Sequence, residues 1–183
     1  MSTSLSSVSR RLTSCIDAYQ RRDYEVSLIH FFPALDKVAK RRRPKSGVSD
    51  RIRGFLRDEE GLISAIATGN IFQGCRFDGL TFDEAIYKFG RTSIAHEGEL
   101  DSRLNFVDGD NWSIGPTWRL PSKYILGLCI AVIVAPECKG EKLAFDATVT
   151  IFGREWKINQ LWGEEQAVKN HIASRFHRPS IFA

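Results

Sequence analysis

The sequence predicts a mainly α-helical fold: a helical bundle with a small β-hairpin insertion and a C-terminal hairpin plus helix. Three observations predict it. Apolar residues recur at three- and four-residue steps through the first half of the chain. A capping box, Thr81-Phe82-Asp83-Glu84, announces a further helix. Strand-like stretches are short and lie around 103–114 and beyond Pro136.

The elements follow in chain order. Leu5, Val8, Leu12, Ile16 and Tyr19 make one apolar stripe, with serines before it as caps. Tyr24, Leu28, Phe31, Phe32, Leu35 and Val38 make a second. Pro33 lies inside it and predicts a kink or break. The residue before a proline disfavours helix, so Arg43 should end this one. Val48, Ile52, Phe55, Leu56, Leu62, Ile63 and Ile66 form the third stripe, capped by Ser46 or Ser49 and stopped by Thr68-Gly69-Asn70. Residues 71–79, with Asp78-Gly79, read as a loop or small hairpin. The capping box then opens a helix carrying Phe82, Ile86, Phe89 and Ile94, with Gly98 as its stop. Leu104–Val107 and Trp112–Ile114, joined through Asp108-Gly-Asp-Asn, read as a short hairpin. Ser122–Val134 is apolar nearly all round and reads as a buried helix with Pro121 at its first turn. Ala147–Phe152 and Glu155–Ile158 read as a hairpin turning at Gly153-Arg154, and Glu164–Phe176 as a last helix.

At 183 residues, with 43% apolar and 26% charged residues, the chain is expected to be one globular unit with its own core. Residues 1–138 would be the helical domain and 139–183 an extension on it. The net charge of +4 is compatible with a nucleic-acid partner and does not by itself identify one. Cys15, Cys75, Cys129 and Cys138 are far apart and form no C-x-x-C pair, so zinc knuckles and a disulfide framework lack support. The longest apolar run, Tyr124–Ala135, falls well short of the ~20 residues that span a bilayer. With no secretory signal visible, a cytoplasmic protein is the expectation, with no membrane partner. No phosphate-loop, dinucleotide or nucleophile-elbow motif occurs.

The most informative stretch is Phe89-Gly-Arg-Thr-Ser-Ile-Ala-His-Glu-Gly-Glu-Leu, in which four residues separate Arg91 from His96. On an α-helix five positions turn through about 500°, which leaves the two side chains roughly 140° apart around the axis. They converge only if the helix unwinds, if the arginine stem reaches round, or if a second subunit faces them. An imidazole suits proton transfer, and a guanidinium suits a phosphate oxyanion. The stretch resembles the signature of HEPN domains (higher eukaryotes and prokaryotes nucleotide-binding): an arginine, four to six residues, then a histidine, late in a helix of an all-helical domain. As a layout the resemblance covers roughly residues 5–135; residue by residue it rests on this motif.

The resemblance implies a metal-independent endoribonuclease of defence or toxin–antitoxin type, with no cofactor. The ribose 2′-hydroxyl attacks the adjacent phosphate and leaves a cyclic phosphate. His96 would be the acid/base group, Arg91 would stabilise the charged phosphate, and Thr92, Ser93 and Glu97 would support them. Thr92 departs from the Asn, Asp or His that many nuclease members carry there, which bears on catalysis more than on fold. The family also implies a homodimer with two motif helices across one cleft, and an antitoxin as a possible partner. Alternatives of other classes are a non-catalytic module that binds nucleotide or RNA, a helical partner subunit, or a structural protein. In the last, Arg91 pairs with Glu84, Glu97 or Asp101 and His96 caps the helix end.

Lys40, Arg41, Arg42, Arg43 and Lys45 form a second candidate, a basic run that would attract phosphates or else simply complement a helix end. Asp58-Glu59-Glu60 reads as a solvated acidic face. The four tryptophans, Trp112, Trp118, Trp156 and Trp162, read as packing beneath hairpins.

Overall fold

Each of the three long apolar stripes folds as one helix. In the computed structural model, which describes residues 4–109 and 111–182, α1 spans Ser7–Gln20, α2 Tyr24–Arg42 and α3 Val48–Thr68. Ser6 caps α1 by accepting the Ser9 N–H, and Asp23 caps α2 by accepting that of Val26. Gly47 holds the cap position of α3, without the side-chain bond expected from Ser46 or Ser49. Pro33 does not break α2. Its ring lies on the exposed face, where water can take over the carbonyl it frees. Arg43 is the C-cap, as the following Pro44 predicts.

Next come the short strands β1 (Arg76–Phe77) and β2 (Leu80–Thr81), an antiparallel pair turning at Asp78-Gly79. The capping box forms: the Thr81 hydroxyl and the Glu84 carboxylate satisfy each other's backbone donors at the start of α4 (Phe82–Ala85). A π-helical segment, Ile86–Thr92, continues it and passes into α5 (Ser93–Glu97). Gly98, at φ +82°, ends that helix in the left-handed conformation glycine tolerates best.

The expected hairpin at 103–114 is instead a three-stranded sheet. Strands β3 (Leu104–Val107), β4 (Ser113–Ile114) and β5 (Trp118–Pro121) are ordered β3-β5-β4, with β3 parallel and β4 antiparallel to β5. Two facts explain the correction. Trp118 and Leu120 alternate with exposed Arg119, so β5 is the strand that fits the centre. Asp108 is not turning a hairpin: it accepts hydrogen bonds from Tyr24 and Ser122. Asp110, inside the expected turn, lies outside the described residues.

Helix α6 (Lys123–Val134) runs through the middle of the molecule and packs on α1, α2 and α3. A Cβ at Gly127 would sit 2.6 Å from the Ile63 carbonyl oxygen, so this glycine is what lets α6 approach the α3 backbone. Pro121 ends β5 and does not start the helix. Strands β6 (Thr148–Ile151) and β7 (Arg154–Lys157) pair antiparallel and turn at Phe152-Gly153, one residue before the expected position. Helix α7 (Glu165–Arg175) closes the chain. Val149, Ile151, Leu161, Trp162, Val168 and Ile172 are buried in the same cluster as the helices, so the extension shares one apolar core with them. The fold is mainly α. Among the described residues no helix is long and apolar enough to cross a membrane.

Candidate functional site

The π segment sets the position of the Arg91–His96 motif. Gly90 lies against α2, where a Cβ would come within 2.7 Å of Phe32 and 3.4 Å of Leu104. Ile86 and Phe89 are buried beside it. Beyond Gly98 the chain is tied back: the Leu100 N–H donates to the Glu25 carboxylate of α2, and the Asp101 N–H to the Phe89 carbonyl. The motif helix is thus pinned at its apolar face and at its exit, and its other face is open to solvent. π turns often occur at functional sites.

On that face Arg91 is half-buried, its guanidinium 5.8 Å from the ring centre of Tyr87. Among the described residues no carboxylate lies within ion-pairing distance of it. The three partners a structural role would use are otherwise engaged or apart. Glu84 pairs with Arg53 at 3.0 Å, and Asp101 with Arg103 at 2.6 Å. The hydrogen bond from Arg103 holds the Asp101 carboxyl down at about 2. Glu97 is exposed and, among the described residues, forms no ion pair. His96 is exposed one residue from the helix end, and Thr92 and Ser93 are half-buried between the two. Arg91 and Thr92 belong to the wider π turn and the chain is α-helical only from Ser93, so the offset is somewhat less than the ~140° of a regular α-helix, and positions 91 and 96 still diverge within one copy. Neither residue lines the cleft described below, so one subunit presents the motif on open surface.

The basic run is not the free phosphate-attracting patch the sequence offers. Arg41 binds Glu141 at 3.2 Å. Arg42 sits among Glu59 at 2.7 Å, Glu137 at 2.9 Å, Glu165 at 3.3 Å and Asp58 at 3.4 Å, with its plane over Phe55. Burial alone would lower its pKa, but the hydrogen bonds with Glu137 and Glu59 more than offset this and raise it. Arg43 pairs with Asp58 at 2.6 Å. Only Lys40 and Lys45 of the five are exposed cations without such a pair among the described residues. The physical reason is burial on the acidic side. Glu59 and Glu60 are 1% and 6% exposed, not a solvated face, and a buried Glu59 requires cations, here Arg42 and Lys169.

A cleft of about 780 Å³ opens elsewhere, between the C-terminal end of α3, the start of α6 and the β6–β7 turn. Tyr19, Asp108, Ser122 and Lys123 line it. The Ser122 and Tyr24 hydroxyls both donate to Asp108, and Arg22 lies 3.5 Å away. The hydrogen bonds from Tyr24 and Ser122 lower the Asp108 pKa, while burial raises those of Tyr19 and Tyr24. Sequence reasoning missed this cluster because Asp108 looks like a turn residue; its partners are distant in sequence. Among the described residues no group of three His, Cys, Asp or Glu side chains is arranged to hold a metal. The cysteines are all free thiols, with Cys15 and Cys129 buried side by side.

Comparison with known proteins gives a family. The model of the Rv1289 family matches residues 7–181. The Uncharacterized protein Rv1289 of Mycobacterium tuberculosis (strain H37Rv) is 25% identical over 175 residues, covering 86% of this chain and 83% of the relative. The Uncharacterized protein Mb1320 of Mycobacterium bovis has the same identity and coverage. No solved structure matches.

Proposed function

The chain belongs to the Rv1289 family, and we propose that it is a HEPN-like, metal-independent endoribonuclease of defence or toxin–antitoxin type, active as a homodimer in the cytoplasm. The observation that carries this reading is Arg91. It is a half-buried guanidinium with no carboxylate partner among the described residues, in the helical segment that leads into the exposed end carrying His96, while Arg42, Arg43, Arg51, Arg53 and Arg103 are all ion-paired. An unpaired guanidinium is available to a phosphate.

In the proposed reaction the ribose 2′-oxygen loses its proton to His96 and forms a bond to phosphorus. The bond to the 5′-oxygen breaks, that oxygen takes a proton from water or from the protonated His96, and a 2′,3′-cyclic phosphate remains. Arg91 faces the non-bridging oxygens. Because the two residues diverge around one helix, the site draws Arg91 from one copy and His96 from the other. An antitoxin would act by covering this open face.

The test is cleavage of single-stranded RNA in the presence of EDTA. A 2′,3′-cyclic end is expected, with losses of about 10²–10⁴-fold in His96→Ala. Mixing the Arg91→Ala and His96→Ala proteins should restore activity, because one site in each mixed dimer is intact. RNA left uncut by the wild type, or a His96→Ala protein that cuts as well, overturns the proposal.

A further inference from the structure

Phe77 and Trp112 are 36% and 43% exposed, the large apolar side chains that stand furthest into solvent among the described residues. Both sit at one cavity of about 260 Å³. Its other walls include Trp118, Tyr124, Phe82 and Glu60. Five separate stretches of chain supply these residues: α3, the β1–β2 hairpin, the start of α4, the β4–β5 region with the residue before it, and the start of α6.

Glu60 is the unusual member. It is 6% exposed, and the Gly74 N–H donates to its Oε2 at 2.8 Å. Among the described residues no lysine or arginine pairs with it. Arg57, the cation in its neighbourhood, pairs with Asp83 at 3.1 Å. Burial accordingly pushes the Glu60 carboxyl above its ordinary range. Burial, with the neighbouring Glu60, keeps the Tyr124 phenol neutral up to about 12. Ser64 is satisfied by the backbone, its hydroxyl accepting from the Phe72 N–H at 2.9 Å. A buried carboxylate without a counter-charge is costly, and the faces of aromatic rings attract cations. Both features ask for the same kind of occupant.

Size and shape narrow it. The volume lies below the roughly 300–1,000 Å³ of drug-sized sites, so a small head group fits. Phe77 and Trp118 meet edge to face, ring centres 5.9 Å apart and planes at 89°. Walls at right angles make a corner for a rounded group. A flat nucleobase is better held between parallel faces.

We propose that this cavity binds a small alkylammonium group, quaternary or N-methylated, held by Trp112, Trp118 and Phe77 through cation–π contact and by the Glu60 carboxylate. The site stands apart from the Arg91–His96 motif and does not depend on the ribonuclease reading.

The test is isothermal titration calorimetry of the full chain with choline chloride and with 3,3-dimethyl-1-butanol, its neutral isostere. Saturable choline binding is expected, with the neutral alcohol about tenfold weaker, the scale of a desolvated cation–π contact. Glu60→Gln should remove the part of that discrimination the carboxylate supplies and leave the part supplied by the rings. Trp112→Ala, at an exposed position that leaves the core intact, should weaken choline by a similar factor. Tighter binding of a trimethyl-lysine peptide, or co-sedimentation with phosphatidylcholine vesicles that choline competes away, also supports the site and identifies what carries the group. Equal binding of the two isosteres, no saturable choline binding, unchanged binding in Trp112→Ala, or a preference for guanosine over choline overturns it.

Discussion

Replacing Arg42 by methionine tests whether the basic run is structural. Methionine keeps much of the apolar stem and removes the guanidinium that lies over Phe55, with its charge. Arg42 is 16% exposed and Glu59 is 1% exposed, so this is close to breaking a buried pair, which costs about 3–5 kcal/mol. Two features reduce the figure. Lys169 remains 2.9 Å from Glu59 and 2.6 Å from Glu165. Glu137 and Glu165 are 19% and 20% exposed and can turn toward water. The expected loss is therefore about 2–4 kcal/mol. With a urea m-value of about 2 kcal/mol/M, the unfolding midpoint followed by circular dichroism should fall by about 1–2 M. The double variant Arg42→Met/Glu59→Gln should recover part of this, since it no longer strands the buried carboxylate. Lys40→Met and Lys45→Met should stay within about 0.5 kcal/mol of wild type. A loss below about 0.5 kcal/mol in Arg42→Met would refute the reasoning and return the arginine to the list of free phosphate contacts.

Two further substitutions and one pH effect follow. Gly127→Ala places a methyl 2.6 Å from the Ile63 carbonyl oxygen, a backbone atom that cannot swing away, so α6 and α3 must separate. A thermal shift equivalent to about 1–3 kcal/mol is expected. Gly90→Ala meets the Phe32 ring at 2.7 Å and should cost about 1–3 kcal/mol while displacing the motif helix, so RNA cleavage should fall along with stability. Burial alone would raise the Asp83 carboxyl, but hydrogen bonds from Thr81, Arg57 and Arg53 hold it below its ordinary 3.8. Its contribution is complete at neutral pH, begins to fall near 3.8 and is lost as pH passes below the depressed folded value. Asp83→Asn should flatten the acid limb of the stability curve in that range, and an unchanged limb would show that the pairs contribute nothing.

Features encoded within one or two turns were legible in the sequence. The stripes of α1, α2 and α3, the Thr81–Glu84 box and the Gly98 stop depend on neighbours three or four residues away, and all formed as read. What was not legible depends on distant partners. The sheet order turned on Trp118 and Leu120 being buried by other elements, which no local pattern announces. Glu59 and Glu60 looked like a solvated run because their cations and ring walls come from α2, α7, the sheet and α6. The π segment at Ile86–Thr92 goes together with the close approach of Gly90 to Phe32, a tertiary contact that no local pattern announces. The motif was found because Arg91 and His96 are near in sequence, whereas the Asp108–Ser122–Tyr24 cluster and the Glu60 cavity were not.

The ion pairs also change what RNA binding should look like. A net charge of +4 and a dense basic run invite the expectation of many phosphate contacts and steep salt dependence. With Arg41, Arg42 and Arg43 engaged by carboxylates, the unpaired cations of the motif helix among the described residues are Arg91 and exposed Lys88. Two facing copies would offer about four such contacts. Each contact to a single strand contributes about −0.7 to the slope of log K against log salt, so the proposed dimer should show a slope near −3. Lys88→Ala should bring it to about −1.5, and Lys40→Ala should leave it unchanged. A slope near −6 or steeper that Lys40→Ala reduces would place RNA on the basic run after all, and the motif face would then not be the binding surface.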